Sequence, residues 1–308
     1  MENPLIVILG PTASGKTSIA VRLAYETNGE IISADSRQVY RGMDLGTGKD
    51  LSEYNVEGKA IPYHLIDIMD PQGEFNLFTF QKCFSASFSA IKQRQKQPIL
   101  AGGTGLYLES VILSYRMQEV EENKELRERL SLLNMDALTD YYLSFTNERK
   151  PHNTSDMTDR GRLIRAIEIL TCRKETDNQH NHLHMETLTP VVIGIQWARH
   201  DLRKRITQRL QKRIDAGLVE EVQNLKTQGL TWSRLEAFGL EYRYIAYYLQ
   251  GKMTQEEMFK HLEIKIHQFA KRQETWFRRM ERKGVHIHWF PCHAYDAIKD
   301  TVQGHLRR

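Results

Sequence analysis

The sequence predicts an α/β fold, a parallel sheet flanked by helices, with a helical insertion domain. Three observations carry this reading. Short apolar runs alternate with helical patterns through the N-terminal third. The first run leads into a complete Gly-x-x-x-x-Gly-Lys-Thr pattern, from Gly10 to Thr17, which makes the sheet P-loop-containing. From about Tyr115 the texture turns polar, charged and helical, until an apolar run returns at Val191.

In chain order, Leu5–Leu9 is a buried strand, and a helical pattern runs from Gly15 to about Tyr25. Glu30–Ala34 reads as a second buried strand ending at Asp35. Tyr63–Ile68 and Pro98–Ala101 are further strands, the latter followed by Gly102-Gly103-Thr104-Gly105 and a helix. Glu119–Leu133, Asp136–Phe145 and Arg162–Leu170 read as helices of the insertion. Asp177–Thr189 reads as a surface loop, although His180, His182 and His184 alternate as metal ligands on a strand would. Val191–Trp197 rejoins the sheet. Two long helices follow, one with Leu202, Ile206, Leu210 and Ile214 on its apolar stripe, the other with Leu262, Ile266, Phe269 and Trp276. Trp276 is expected to be buried and the basic stripes exposed. The division is therefore 1–114 with 190–308 for the core and 115–189 for the insertion.

Of 308 residues, 40% are apolar and 27% charged, ordinary for a soluble globular chain. No apolar run is long enough to span a membrane, and the N-terminus lacks a basic n-region, so a cytoplasmic location is expected. Cys83, Cys172 and Cys292 form no metal or disulfide pattern. No apolar surface stripe argues for a dimer, and a monomer is expected. The net charge is only +4, but residues 199–283 carry 19 Lys and Arg against 11 Asp and Glu. A basic excess in one block suits a polyanion such as a phosphate backbone, or a pair of solvated basic helices.

Four segments carry chemistry. In Gly10-Pro11-Thr12-Ala13-Ser14-Gly15-Lys16-Thr17 the glycines let backbone approach phosphate, and N–H groups with the helix N-terminus surround its oxygens. Lys16 adds a point charge, and Thr17 offers a hydroxyl to Mg²⁺. Asp35, leaving a strand, is open to three readings: a Mg²⁺ ligand, a general base or a helix N-cap. Gly102–Tyr107 is either a place of close approach to a ligand or a tight turn. Between them lies Gly46-Thr47-Gly48-Lys49, whose Lys49 is expected to face water. Ala270–Arg279 mixes basic residues with Trp276 and Phe277, suiting either RNA contact or an amphipathic helix with a buried end.

With these segments in order, the chain resembles the bacterial tRNA dimethylallyltransferase family, also called tRNA isopentenyltransferases. The matching text is Gly10–Thr17, Asp35–Thr47, Gly102–Tyr107, Arg162-Leu-Ile-Arg165, Gly239-Leu-Glu-Tyr-Arg243 and Ala270-Lys-Arg-Gln273-x-Thr275-Trp276. The resemblance implies transfer of a dimethylallyl group from its diphosphate to N6 of the adenosine 3′-adjacent to the anticodon, with Mg²⁺ as cofactor. It implies Asp35, Thr104 and Arg243 at the reacting centre, with Asp35 taking the proton, and Gly10–Thr17 at the diphosphate. It places Asp35, Ser36, Arg37, Gln38, Thr104, Arg162, Leu163, Arg165, Lys271 and Arg272 at the tRNA anticodon stem-loop. Two departures stand out. Gly48 occupies a position where many relatives have Ala, a change expected to be harmless. Gly161 stands where many have Gln or Arg, which removes a side-chain contact there.

Three other functions share part of the pattern. A small-molecule kinase would need neither the basic block nor the Ala270–Arg279 helix. An adenylate isopentenyltransferase would use the same chemistry on a free nucleotide. A nucleotide-binding regulator of RNA would not need Asp35 as a base.

Overall fold

The computed structural model describes residues 4–120, 122–146, 159–175, 182–183 and 188–307. Six parallel strands form its main sheet: β1 (Ile6–Leu9), β2 (Gly29–Ala34), β3 (Tyr63–His64), β4 (Gln97–Gly102), β5 (Val191–Gln196) and β6 (Ile287–Pro291). Their order is β6-β5-β1-β4-β2-β3. Ile6 pairs with Ile99 on one side and Val191 on the other, so β1 lies at the centre. Such strands are covered on both faces, which is why they read as continuous apolar runs.

Alternate residues feed two cores. Val7, Leu9, Ile32 and Leu100 face α2 (Leu77–Gln93), α3 (Gly105–Ile112) and the end of the long helix Gln255–Arg282 through Phe80, Phe84, Leu108, Phe277 and Met280. Ile6, Ile8, Ile31, Ile99 and Ile193 face α1 (Lys16–Thr27) and α12 (Tyr295–Leu306) through Ile19, Leu23, Ile298 and Val302. The insertion is built on α4 (Lys124–Ser131), α5 (Met135–Thr146) and α6 (Arg160–Glu175). After β5 come α7 (Arg199–Asp215), α8 (Leu218–Thr227), α9 (Trp232–Ala237), α10 (Leu240–Leu249) and α11 (Gln255–Arg282). The 28-residue α11 starts at a capping box in which Thr254 and Glu257 satisfy each other's backbone N–H.

The chain divides into two compact units, residues 1–115 with 185–308, and residues 116–184. The smaller has its own core of Leu126, Leu130, Leu138, Tyr142, Leu163 and Ile167. Within it, Met117–Gln118 pairs with His182–Leu183. His180 and His184 lie outside the described residues, as does most of the Asp177–Thr189 loop. Glu119–Leu133 is helical only as α4, capped by the Asn123 side chain.

Three expectations need correction. Tyr63–Ile68 extends only as β3, because Leu65 and Asp67 adopt φ of 64° and 56°, which no strand accommodates. The buried stripe of α11 is Leu262, Ile266, Ala270, Gln273, Phe277 and Met280. Phe269 is 38% exposed and Trp276 only half-buried, since the stripe passes through the small Ala270 and the polar Gln273 and skips two larger rings. Lys49 does not face water: it is 1% exposed, and its ammonium bonds the Tyr40 carbonyl (2.8 Å), Asp44 (2.6 Å) and Asp67. A buried ammonium with three oxygen partners is a structural pin.

Candidate active site

The carboxyl ends of β1, β4 and β2 are neighbours in the sheet, so the loops leaving them lie side by side, where parallel sheets bind ligands. These loops are Gly10–Gly15, Gly103–Thr104 and Asp35–Gln38. The first and third, with Gly102 at the end of β4, open on a cavity of about 270 Å³ lined by Thr12, Lys16, Thr17, Asp35, Gln38 and Arg209, among others, whereas Thr104 does not line it.

In the first loop Ala13 (φ 63°) and Gly15 (φ 82°) take left-handed conformations, which turn backbone N–H groups inward ahead of α1. Side chains distant in sequence hold this shape. Trp197 Nε1 donates to the Ser14 carbonyl (2.9 Å) and Arg205 Nε to that of Ala13 (3.1 Å), with the Arg205 guanidinium over the Trp197 ring. Gln273, 7% exposed, accepts from Thr12 N (2.8 Å) and donates to the Gly103 carbonyl (2.8 Å), bridging two of the three loops.

Four cations, Lys16, Arg205, Arg209 and Lys212, line the cavity with three carboxylates, Asp35, Asp50 and Glu53. Lys16 Nζ donates to the Pro11 carbonyl (3.3 Å), and Arg209 Nη2 to Thr12 Oγ1. Burial, then the Arg209 charge, pushes the Lys16 ammonium down to about 8, with Asp35 opposing. Burial, then Arg213, pushes Arg209 down to about 10. Such mutual repulsion is relieved by a polyanion. Arg205, Arg209 and Arg213 repeat every four residues on α7, so one helical face delivers all three. None was singled out from the sequence; the Arg-x-x-x-Arg-x-x-x-Arg spacing is the signal that finds them. The buried polar Gln273 within an otherwise apolar stripe is a second such signal.

Asp35 lines the cavity. Its Oδ1 accepts from Arg37 N (2.8 Å) and Gln38 N (3.4 Å), while Oδ2 has no hydrogen bond among the described residues. Residues 36–39 form a turn, so Asp35 is not the N-cap of a helix. Thr104 Oγ1 accepts from Ser36 N (3.1 Å), tying the second loop to the third. Arg37 is partly buried, and burial lowers its pKa. Gln38 donates to the Gly48 carbonyl (3.0 Å) and accepts from Ser33 Oγ (2.9 Å).

Other predicted residues lie apart. Arg243 is exposed and donates to the Glu236 carbonyl (2.8 Å); it does not line the cavity. Its motif neighbour Glu241 has its pKa raised by burial, against the opposing charges of Arg213 and Arg209. Leu163 is 1% exposed within the insertion core, which leaves its side chain no surface for RNA. Arg165 bonds Glu168 (3.0 Å) and the Val120 carbonyl, and Arg162 is exposed. Lys271 and Arg272 are exposed on α11, Arg272 over the Phe269 ring. A Cβ at Gly161 would meet only Asp159 Oδ1, at 3.5 Å.

For Mg²⁺ the donor set is oxygen: the Thr17 hydroxyl and Asp35 carboxylate line one cavity, and no cluster of three metal-ligating side chains occurs among the described residues. That fits an ion held mainly by phosphate oxygens and water.

Fold and site together define a P-loop α/β protein with a cationic cradle and a carboxylate beside it. The IPP transferase family model matches residues 38–280, and the chain belongs to that family. It is 52% identical to tRNA dimethylallyltransferase 1 of Syntrophus aciditrophicus over the whole length of both chains. It is also 52% identical to tRNA dimethylallyltransferase 1 of Geotalea uraniireducens, covering 98% of this chain and 97% of that one. Among solved structures, the tRNA isopentenylpyrophosphate transferase of Bacillus halodurans superposes with a TM-score of 0.69 at 31% identity, covering 98% and 97%. A eukaryotic dimethylallyltransferase acting on tRNA gives 0.74 at 19% identity, covering 98% and 77%, a likeness of fold.

Proposed function

We propose that this protein transfers the dimethylallyl group of dimethylallyl diphosphate to N6 of the adenosine 3′-adjacent to the anticodon of tRNA, releasing pyrophosphate. The observation that carries the reading is the meeting of Lys16, Arg209 and the Thr12–Gly15 backbone with the Asp35 carboxylate in one cavity. Membership of the family and the full-length similarity to enzymes named tRNA dimethylallyltransferases support it.

As N6 attacks the allylic carbon, the C–O bond to the diphosphate breaks. Negative charge grows on the leaving group, where Lys16, Arg209 and the loop N–H groups stabilise it. Asp35 accepts the N6 proton through Oδ2, while Oδ1 keeps its turn in place; an ordinary carboxylate suffices once the alkylated amine has become acidic. Mg²⁺, when bound, would supply Lewis-acid stabilisation of the diphosphate, and the Thr17 hydroxyl would help to hold it. Ser36, Arg37, Gln38 and Thr104 meet the acceptor, which leaves its stack to reach them. Lys271, Arg272, Arg162 and the insertion, residues 115–189, face the stem-loop. The enzyme acts as a cytoplasmic monomer. No helix among the described residues is long and apolar enough to cross a membrane.

RNA carrying inosine in place of the 3′-adjacent adenosine lacks the N6 amine and should accept no label from labelled donor. Undiminished labelling would place the attack on another atom.

A further inference from the structure

Gly48 adopts φ of 66°, and the Arg213 guanidinium occupies the space that a Cβ at this position would need. A Cβ there would sit 2.7 Å from Arg213 Cζ and 2.9 Å from Nη1, so any larger residue at position 48 would push the guanidinium off the turn. Arg213 is 8% exposed, and its Nη2 bonds Asp50 Oδ2 at 3.1 Å. The same turn is pinned from beneath by the buried Lys49. Gly46 N–H donates to Glu221 (3.1 Å), and on the cavity side the Gly48 carbonyl accepts from Gln38 Nε2 (3.0 Å), while Thr47, Gly48 and Asp50 themselves line the cavity. Gln38 is three residues from Asp35 and lines the same cavity; Arg213 does not line it.

Resting on the transfer reaction proposed above, we infer that Arg213, with Asp50 and Gly48, is a positioning residue for the acceptor side. It clamps the 46–50 turn so that Gln38 is held beside Asp35. The glycine at 48 is therefore a condition of this clamp. Arg209, one turn earlier on α7, serves the donor side through Thr12, so adjacent turns of one helix order the two substrates separately.

The test uses the full chain with labelled dimethylallyl diphosphate and anticodon stem-loop RNA. Arg213→Met should raise the KM for RNA or lower kcat by on the order of tenfold, with a clearly smaller change in the donor KM. Arg213→Lys, which keeps a charge beside Asp50, should recover part of the loss. Gly48→Ala should be damaging alone and have a smaller effect in the Arg213→Met background, the non-additivity of residues in contact. Amide hydrogen exchange at residues 46–50 should accelerate in Arg213→Met, a readout that stands whether or not the wild type transfers label to RNA. Additive effects, equal changes in both KM values, or unchanged exchange would overturn the clamp. A wild type that labels no RNA while the exchange result holds would instead contradict the proposed function.

Discussion

Asp35 gives one carboxylate oxygen to the turn that follows it and leaves the other to the cavity. Asp35→Asn keeps the acceptor for the turn but removes the base. Turnover should fall by on the order of 10²–10⁴-fold with donor binding nearly unchanged; turnover near wild type would remove Asp35 as the base. Lys16 gives a second prediction. Its ammonium titrates near pH 8 in the free protein, lowered first by burial and then by Arg209. A bound diphosphate favours the charged form, so donor binding should take up protons above pH about 8, and affinity should weaken as pH rises further. Calorimetry in buffers of different ionisation enthalpy measures this uptake, which should vanish near pH 6 or below; uptake independent of pH would exclude Lys16 as the group responsible.

At the scale of elements, α7 and α11 build the site as much as the sheet does. Gln273→Leu leaves Thr12 N–H and the Gly103 carbonyl without their partner, at about 1–3 kcal/mol for each group that stays dry. A loss of stability in chemical denaturation, together with a raised donor KM, is expected; a raised KM without destabilisation would mean that water replaces the amide. The contribution of α11 also shows where sequence reasoning reached its limit. Gly10–Thr17 and the apolar runs ending at Leu9, Ala34 and Gly102 are local patterns, legible because strand, loop and helix follow one another. Gln273 and Thr12 are 261 residues apart, and only the folded chain reveals that a polar residue on a buried stripe has a partner. Lys49 misled for a related reason. A lysine in a glycine-rich turn reads as solvated until Asp44 and Asp67 are brought beneath it. The motif around Arg243 also brings the Glu241 carboxylate towards Arg209 and Arg213, a proximity that no local pattern announces.

Over the whole molecule, charge is segregated: residues 199–283 carry the basic excess, and part of it is turned into the cavity by Arg205 and Arg209. In the proposed function RNA is met by exposed cations such as Lys271 and Arg272, and the donor by partly buried ones such as Lys16 and Arg209. RNA affinity should therefore fall steeply with salt, by a slope of about −0.7 per phosphate neutralised, and donor affinity much less. Equal sensitivity of the two would refute this separation.

The central claim is that the P-loop grips a leaving diphosphate and that the acceptor is RNA. The direct measurement incubates the protein with Mg²⁺, dimethylallyl diphosphate labelled in its prenyl group, unmodified tRNA, AMP and ATP together, and follows where label and phosphate go. Prenyl label on the tRNA, stoichiometric pyrophosphate and intact ATP are the predicted result. Label on AMP alone, or ATP hydrolysis without prenyl transfer, would contradict it.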